Sequence, residues 1–88
     1  MPDIVVHSKT TCPSCVGAKA WLEERGFDYT LHVYDDFDAR QEMYDSFGLE
    51  GNDRTVPQIV IDGVRIGGFD KLKTSNLANP QIDEDIDF

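Results

Sequence analysis

Two cysteines, Cys12 and Cys15, are the residues of this chain whose type and spacing most directly indicate chemistry. Pro13 and Ser14 separate them, so a disulfide between them would close a very short loop. Such a loop restricts the unfolded chain little, and a structural cross-link is therefore a poor explanation for the pair. The spacing is instead typical of two thiols that exchange between a dithiol and a disulfide.

The sequence around the pair predicts unequal roles for the two thiols. A strand is predicted just before Cys12 and a helix just after it, and the unpaired N–H groups of a helix start favour a thiolate there. Pro13 suits the first helical turn, and Lys9 adds a cation near the thiolate or near an anionic substrate. Cys15 is better shielded, yet close enough to attack a mixed disulfide on Cys12. We therefore predict that Cys12 is the nucleophile and Cys15 the resolving thiol.

Two other interpretations of the cysteines stay open at this point. A zinc site would need four ligands, and only His7 and His32 remain as candidates, both on predicted strands without the usual histidine spacing. The second alternative is a pair of inert core cysteines, which would explain neither Lys9 nor the position at a helix start. We expect no metal.

A second group of interest is Thr55-Val56-Pro57-Gln58, which leads into a predicted strand. A cis bond before Pro57 would expose the backbone of Val56 for pairing with an extended peptide. From the sequence alone an ordinary trans proline is expected, because cis is the minor form of such bonds. Gly67-Gly68 predicts a turn, which becomes a backbone site for an anion only if a helix follows it.

The elements that must position these residues are predicted from the apolar periodicity. A strand, helix and strand at the start require a right-handed crossover with parallel strands, and Asp62-Gly63 suits the turn of an antiparallel hairpin. The sequence therefore predicts an α/β fold with a four-stranded mixed sheet and three helices, in the order βαβαββα. Asp38 is expected to cap the second helix, and residues 49–54 to form a surface loop. The predicted strands are 4–8, 29–34, 58–61 and 64–66, and the predicted helices are 12–25, 38–47 and 70–77.

Composition and charge limit the classes of partner. The 88 residues contain 8 Lys plus Arg and 17 Asp plus Glu, so the net charge is −9, which disfavours nucleic-acid binding. No apolar run approaches the roughly 18 residues that span a membrane, and the first residues lack the pattern of a signal peptide. We expect a cytoplasmic monomer that binds no membrane. Residues 1–80 are expected to form one domain, and 81–88 a disordered acidic tail.

Three motifs, in this order along residues 4–77, resemble those of a dithiol glutaredoxin. The resemblance implies a thioredoxin-like fold and a glutathione-dependent thiol-disulfide oxidoreductase that reduces protein disulfides and glutathione mixed disulfides through Cys12 and Cys15. It also implies a cis bond before Pro57. The motifs are Ser8-Lys9-Thr10-Thr11-Cys12-Pro13-Ser14-Cys15, Thr55-Val56-Pro57-Gln58-Ile59 and Ile66-Gly67-Gly68-Phe69-Asp70.

The resemblance further implies how glutathione would bind, as reductant and co-substrate. Cys12 would take up its sulfur, and the anionic tripeptide would meet the local cations of an otherwise acidic chain. The residues implied are Thr55, Val56 and Pro57 for its cysteinyl part, Gly68, Phe69 and Asp70 for its γ-glutamyl part, and Lys9 with Arg40 or Gln41 for its glycine carboxylate.

Two residues depart from the family pattern. Ser14 stands where many dithiol members have tyrosine, and Lys71 where the family is often acidic or polar. The expected partners are glutathione and disulfide-containing or glutathionylated proteins, with ribonucleotide reductase as one candidate. The alternatives within this resemblance are an electron donor to ribonucleotide reductase that thioredoxin reductase reduces, and a carrier of a glutathione-ligated [2Fe-2S] cluster.

Overall fold

The apolar strand Ile4–Ser8 lies inside the sheet and alternates buried and half-buried residues. The structure is a computed structural model that describes residues 2–75 and 77. In chain order the elements are β1 (Ile4–Ser8), α1 (Pro13–Glu24), β2 (Thr30–Val33), α2 (Phe37–Ser46), a 3₁₀ helix (Gly51–Asp53), β3 (Gln58–Ile61), β4 (Val64–Gly67) and α3 (Phe69–Lys73).

The four strands form one mixed sheet in the order β2-β1-β3-β4. β1 pairs with β2 in parallel, with Val6 opposite Leu31, and with β3 antiparallel, with Val6 opposite Ile59. β3 and β4 form the predicted hairpin, and Asp62 and Gly63 both have positive φ, at 52° and 84°. The predicted thioredoxin-like fold, a four-stranded mixed sheet with three helices, is therefore confirmed.

Apolar residues cover the sheet in two clusters. Successive strand residues face opposite sides, so Val6 and His7 of β1 belong to different faces. The larger cluster fixes α1 and α3 on one face, and the smaller holds α2 and the following loop on the other. The buried members are Ile4, Val6, Ala18, Trp21, Leu22, Ile59 and Leu72 in the first cluster, and Met43, Tyr44 and Leu49 in the second.

The start of α2 differs from the prediction. Asp36, not Asp38, is the N-cap residue, because its backbone is extended and its carboxylate accepts a hydrogen bond from the Ala39 N–H at 3.0 Å. Asp38 lies in the first turn, where a negative charge is also favourable. Aspartate suits the N-cap position in either place, and the extended backbone and the bond from Ala39 show that Asp36 occupies it.

The sequence predicts a surface loop at 49–54, and residues 50–53 are exposed as predicted, but the segment is not a simple loop. It contains the 3₁₀ helix, and Leu49 is only 6% exposed. Arg54 ties the segment to α2 through hydrogen bonds to Gln41 Oε1 and Asp45 Oδ1, and it also donates to the Leu49 carbonyl at 2.8 Å. A single 3₁₀ turn has no apolar periodicity, so its sequence gives little warning of this packing.

The last helix is shorter than predicted. α3 ends at Lys73, and the Thr74 and Ser75 hydroxyls bond to carbonyls of its last turn. Leu77 packs against the larger cluster. The predicted disordered tail at 81–88 lies outside the described residues. No helix in the described part of the chain is long and apolar enough to span a membrane.

Candidate functional site

Cys12 and Cys15 form a disulfide at the start of α1, and their Cα atoms are 5.2 Å apart. Cys12 is the N-cap residue, with extended backbone, and Pro13 begins the helix. The Cys15 N–H donates to Cys12 Sγ at 3.2 Å, so a free backbone donor of the helix start is aimed at this sulfur. Cys12 is 8% exposed and Cys15 only 1%, so outside molecules reach Cys12 more easily.

The Val56-Pro57 segment forms the opposite side of the cysteine pair. Its peptide bond is cis, as the family resemblance implied and in contrast to the trans bond expected from the sequence alone. Cys12 Sγ lies 3.7 Å from the Val56 carbonyl oxygen. The structure therefore places the backbone of Val56 next to the sulfur that is the predicted nucleophile.

A cleft of about 440 Å³ opens beside this contact. It brings together residues from the start of α1, the segment before β3 and the start of α3. Six of the nine residues predicted to bind substrate line it, together with Ser14 and Lys71. The six are Thr55, Val56, Pro57, Gly68, Phe69 and Asp70.

Three residues of the cleft region are not among the predicted site residues. Ser14 and Lys71 line the cleft, and only their departure from the family pattern drew attention to them. Gly17 of α1 contacts the ring of Phe69, because a Cβ at residue 17 would lie 2.7 Å from the Phe69 Cε2 atom. Glycine inside a helix is less stable than alanine, so Gly17 is the sequence feature that could have predicted a close contact at this position.

The other predicted substrate residues, Lys9, Arg40 and Gln41, do not line the cleft. Arg40 Nη1 donates to the Tyr34 carbonyl at 2.9 Å, and Gln41 Oε1 accepts from Arg54 at 2.6 Å. Arg40 Nη1 and Gln41 Oε1 therefore bond to neighbouring parts of the protein. Their contact with the glycine carboxylate of glutathione stays a prediction.

The loop that carries Lys9 and leads to Cys12 is held by Asp35. The Thr10 N–H donates to Asp35 Oδ1 at 2.7 Å, and the Thr10 hydroxyl bonds to the other carboxylate oxygen. These hydrogen bonds from Thr10 hold the pKa of Asp35 below its usual value, with smaller help from Arg40 and Lys9. Asp35 thus joins the loop after β2 to the loop before α1.

The two histidines lie together on the sheet face that α2 covers. The His7 and His32 rings stack with their centroids 5.3 Å apart, and His7 Nδ1 lies 2.8 Å from the Tyr34 hydroxyl, in a hydrogen bond. Burial, and secondarily His32, lowers the pKa of His7. Among residues 2–75 and 77, no three His, Cys, Asp or Glu side chains come together as they would around a metal ion.

A Cys-Pro-Ser-Cys pair at a helix start, facing a cis-proline segment in a thioredoxin-like fold, defines a thiol-disulfide oxidoreductase. The family model described as Glutaredoxin matches residues 4–66. This chain belongs to the glutaredoxin family.

Individual relatives agree with this assignment. Glutaredoxin 3 of Escherichia coli (strain K12) is 38% identical over 73 residues, which cover 82% of this chain and 83% of that protein. The crystal structure of glutaredoxin 1 from Francisella tularensis complexed with cacodylate matches over 100% of both chains, with a TM-score of 0.75 and 32% identity. The buckwheat glutaredoxin-glutathione complex matches 93% of this chain and 74% of that one, with a TM-score of 0.73 and 27% identity.

Proposed function

We propose that this protein uses glutathione to reduce protein disulfides and glutathione mixed disulfides. The observation that carries the proposal is the cleft that extends from the Cys12 and Val56 contact to Gly68, Phe69 and Asp70. Its volume, about 440 Å³, falls in the usual range for sites that take a small molecule. Glutaredoxins use glutathione, and a similar fold, that of buckwheat glutaredoxin, has been crystallised with it.

The reaction begins with the reduced pair. The helix start and the Cys15 N–H stabilise negative charge on Cys12 Sγ, which makes this sulfur the attacking thiolate. With a glutathionylated protein, Cys12 attacks the glutathione sulfur, the old disulfide breaks, and the target cysteine leaves as a thiolate that takes up a proton. A second glutathione thiolate then attacks the mixed disulfide, which yields glutathione disulfide and restores the Cys12 thiolate.

With a protein disulfide, Cys12 attacks one target sulfur and the other leaves as a thiol. Cys15 then attacks Cys12 Sγ, so that the second target thiol is released and the Cys12–Cys15 disulfide forms. The Cα atoms of Cys12 and Cys15 are 5.2 Å apart, a separation at which the two sulfurs can bond in this step. Two glutathione molecules reduce the disulfide and become one glutathione disulfide.

Glutathione would lie along the cleft. Thr55 and Val56 would pair with the backbone of its cysteinyl residue, and Gly68, Phe69 and Asp70 would hold its γ-glutamyl part. The chain's own contribution is to orient the glutathione sulfur toward Cys12, because a well-placed sulfur reacts far faster than one in free solution. We also propose a cytoplasmic location, with ribonucleotide reductase among the target proteins.

The decisive experiment measures NADPH oxidation when the protein, glutathione and glutathione reductase act on a glutathionylated peptide. A rate that requires the protein and saturates with the peptide supports the proposal. A folded protein that gives no rate, yet turns over when thioredoxin reductase replaces glutathione and its reductase, would overturn it in favour of thioredoxin reductase as the electron source.

A further inference from the structure

A second cleft, of about 330 Å³, adjoins the first and shares Thr55, Gly68 and Lys71 with it. The residues that line the two neighbouring clefts extend from Ser14, beside the cysteines, to Arg65 on the edge strand β4. The glutathione contacts proposed above use neither Arg65 nor Lys71. The second cleft is therefore available to another part of a substrate.

Arg65 is held at this cleft by a buried glutamine. Gln58 is 2% exposed, and its Nε2 donates to the Thr55 carbonyl at 2.8 Å, which leaves its Oε1 for Arg65. Arg65 Nη1 donates to that oxygen at 3.0 Å. A guanidinium group has five N–H donors, so this one bond orients Arg65 and leaves most of its donors for a ligand.

Lys71 is positioned by Gly67. A Cβ at Gly67 would lie 2.9 Å from the Lys71 Cγ, so the lysine stem packs directly on the glycine backbone, whose φ is +120°. This close packing keeps the lysine where the two clefts meet. Within residues 2–75 and 77, neither Lys71 nor Arg65 forms an ion pair with a carboxylate.

The charge of the second cleft is opposite in sign to that of the whole chain. The cleft contains two cations, Arg65 and Lys71, and one carboxylate, Asp53, whereas the net charge of the protein is −9. Asp70, in the first cleft, is paired with Lys73 at 3.9 Å. A local excess of positive charge on an acidic protein attracts carboxylates and repels cations.

We infer that Arg65 and Lys71 form a carboxylate site that takes an acidic side chain of the polypeptide whose disulfide is reduced. This inference rests on the proposal that polypeptide disulfides are substrates. While the target is joined to Cys12, its chain follows Thr55 and Val56 and continues into the second cleft. The first cleft extends from Ser14, beside the cysteines, to Lys71, so the acidic residue lies a few positions from the reactive cysteine along an extended chain, which advances about 3.3 Å per residue. The protein thus selects targets with acidic residues near their disulfides.

The test uses two symmetric peptide disulfides and no glutathione. Each is a dimer of a pentapeptide with a central cysteine, and the end residues are glutamate in one and glutamine in the other. Protein reduced with dithiothreitol and desalted is mixed with each dimer, and the release of peptide thiol is followed in a single turnover at low salt. In this turnover one peptide disulfide becomes two thiols, and Cys12 and Cys15 become a disulfide.

The acidic dimer is expected to react about threefold faster than the neutral one, a preference that salt weakens. Arg65→Gln and Lys71→Gln should each bring the rate of the acidic dimer down to that of the neutral one, whereas Asp53→Asn should increase the preference. Arg25→Gln is the matched control, because Arg25 follows α1 at the end opposite to Cys12, and it should leave the preference unchanged.

Equal rates for the two dimers with the native protein would overturn the carboxylate site and leave the proposed reductase intact. Lys71→Gln slowing both dimers equally would also overturn it. A separate single turnover with glutathione disulfide as the substrate distinguishes the source of the carboxylate: an effect of Lys71→Gln confined to glutathione disulfide would overturn the site, because the carboxylate would then belong to glutathione. If the native protein reduces neither dimer, the proposed reduction of protein disulfides is wrong as well. This outcome differs from equal rates for the two dimers, which contradict the carboxylate site alone.

Discussion

The ring of Phe69 packs against the backbone of Gly17, so closely that a Cβ at residue 17 would lie 2.7 Å from Cε2 of the ring. The ammonium group of Lys73 lies 4.7 Å from the ring centroid. Phe69 also lines the cleft beside the cysteines. The absence of a side chain at Gly17 therefore determines where the Phe69 ring lies in the wall of the cleft.

Gly17→Ala is expected to change substrate binding more than stability. The contacting Phe69 atoms are at the free end of the side chain, so the ring moves instead of the backbone, and the shape of the cleft changes. We expect KM for a glutathionylated peptide to rise about fivefold, with kcat nearly unchanged. The thermal midpoint should hold or rise, since alanine favours a helix over glycine by about 1 kcal/mol. Steady-state kinetics and thermal unfolding measure both effects.

The control for this effect is Gly17→Ala in a Phe69→Leu background. Leucine has no ring to displace, so the added methyl group should have no further effect on KM there. Ala20→Gly, at an exposed position of the same helix, should leave KM unchanged. An unchanged KM in the single variant Gly17→Ala would contradict the role assigned to this contact.

The two cysteines should respond differently to substitution. Cys12→Ser is expected to abolish all thiol exchange, because the hydroxyl is not a nucleophile toward disulfides. Cys15→Ser should retain reduction of glutathione mixed disulfides and lose most reduction of protein disulfides, for which the buried thiol is needed in the second step. The coupled assay with a glutathionylated peptide and with a protein disulfide measures both. Equal losses in the two variants would be incompatible with these roles.

Asp35→Asn should weaken the fold at neutral pH. The folded pKa of Asp35 lies below the ordinary value of 3.8, because the ionised carboxylate accepts two hydrogen bonds from Thr10. The stabilisation is therefore present above that ordinary value and lost as pH falls through the folded pKa. In urea unfolding the variant should be less stable than the native protein at about pH 6, and the difference should shrink towards about pH 3.

Asp28→Asn, at an exposed position between α1 and β2, is the control for loss of one carboxylate. It should not reproduce the pH dependence of Asp35→Asn. A stability difference for Asp35→Asn that is as large in acid as at neutral pH would show that the ionised carboxylate is not what holds Thr10.

His7 should make the fold less stable in mild acid. Its pKa is lowered from 6.5 by burial and by His32, and its ring contacts Tyr34 and Phe47. The unfolded chain therefore takes up this proton more readily than the folded one, and stability declines as pH falls through 6.5 towards the folded pKa. Thermal midpoints recorded from about pH 7.5 to about pH 5.5 should fall, and less steeply in His7→Gln. Parallel profiles for the two proteins would refute this origin of the decline.

The sequence by itself predicted those features that neighbouring residues determine. The β-branched run of β1, the helical spacing after Cys12 and the positive-φ turn at Asp62 and Gly63 are local patterns, and each element is confirmed. The position of the cysteines at a helix start is also determined by neighbouring residues, because the strand before them and the helix after them are both predicted from local patterns. The motifs around Pro57 and Gly68 resemble those of the glutaredoxin family, and this resemblance identified six residues that line the cleft.

Only the tertiary structure decided which distant groups meet. Partners outside the local pattern determine the burial of Leu49, the contact of Gly17 with Phe69 and the hydrogen bond between Gln41 and Arg54. Arg65 of β4 and Lys71 of α3 line the same cleft, which their spacing along the chain does not predict. Such contacts arise from the packing of side chains across elements, and the spacing of residues along the chain does not contain that information.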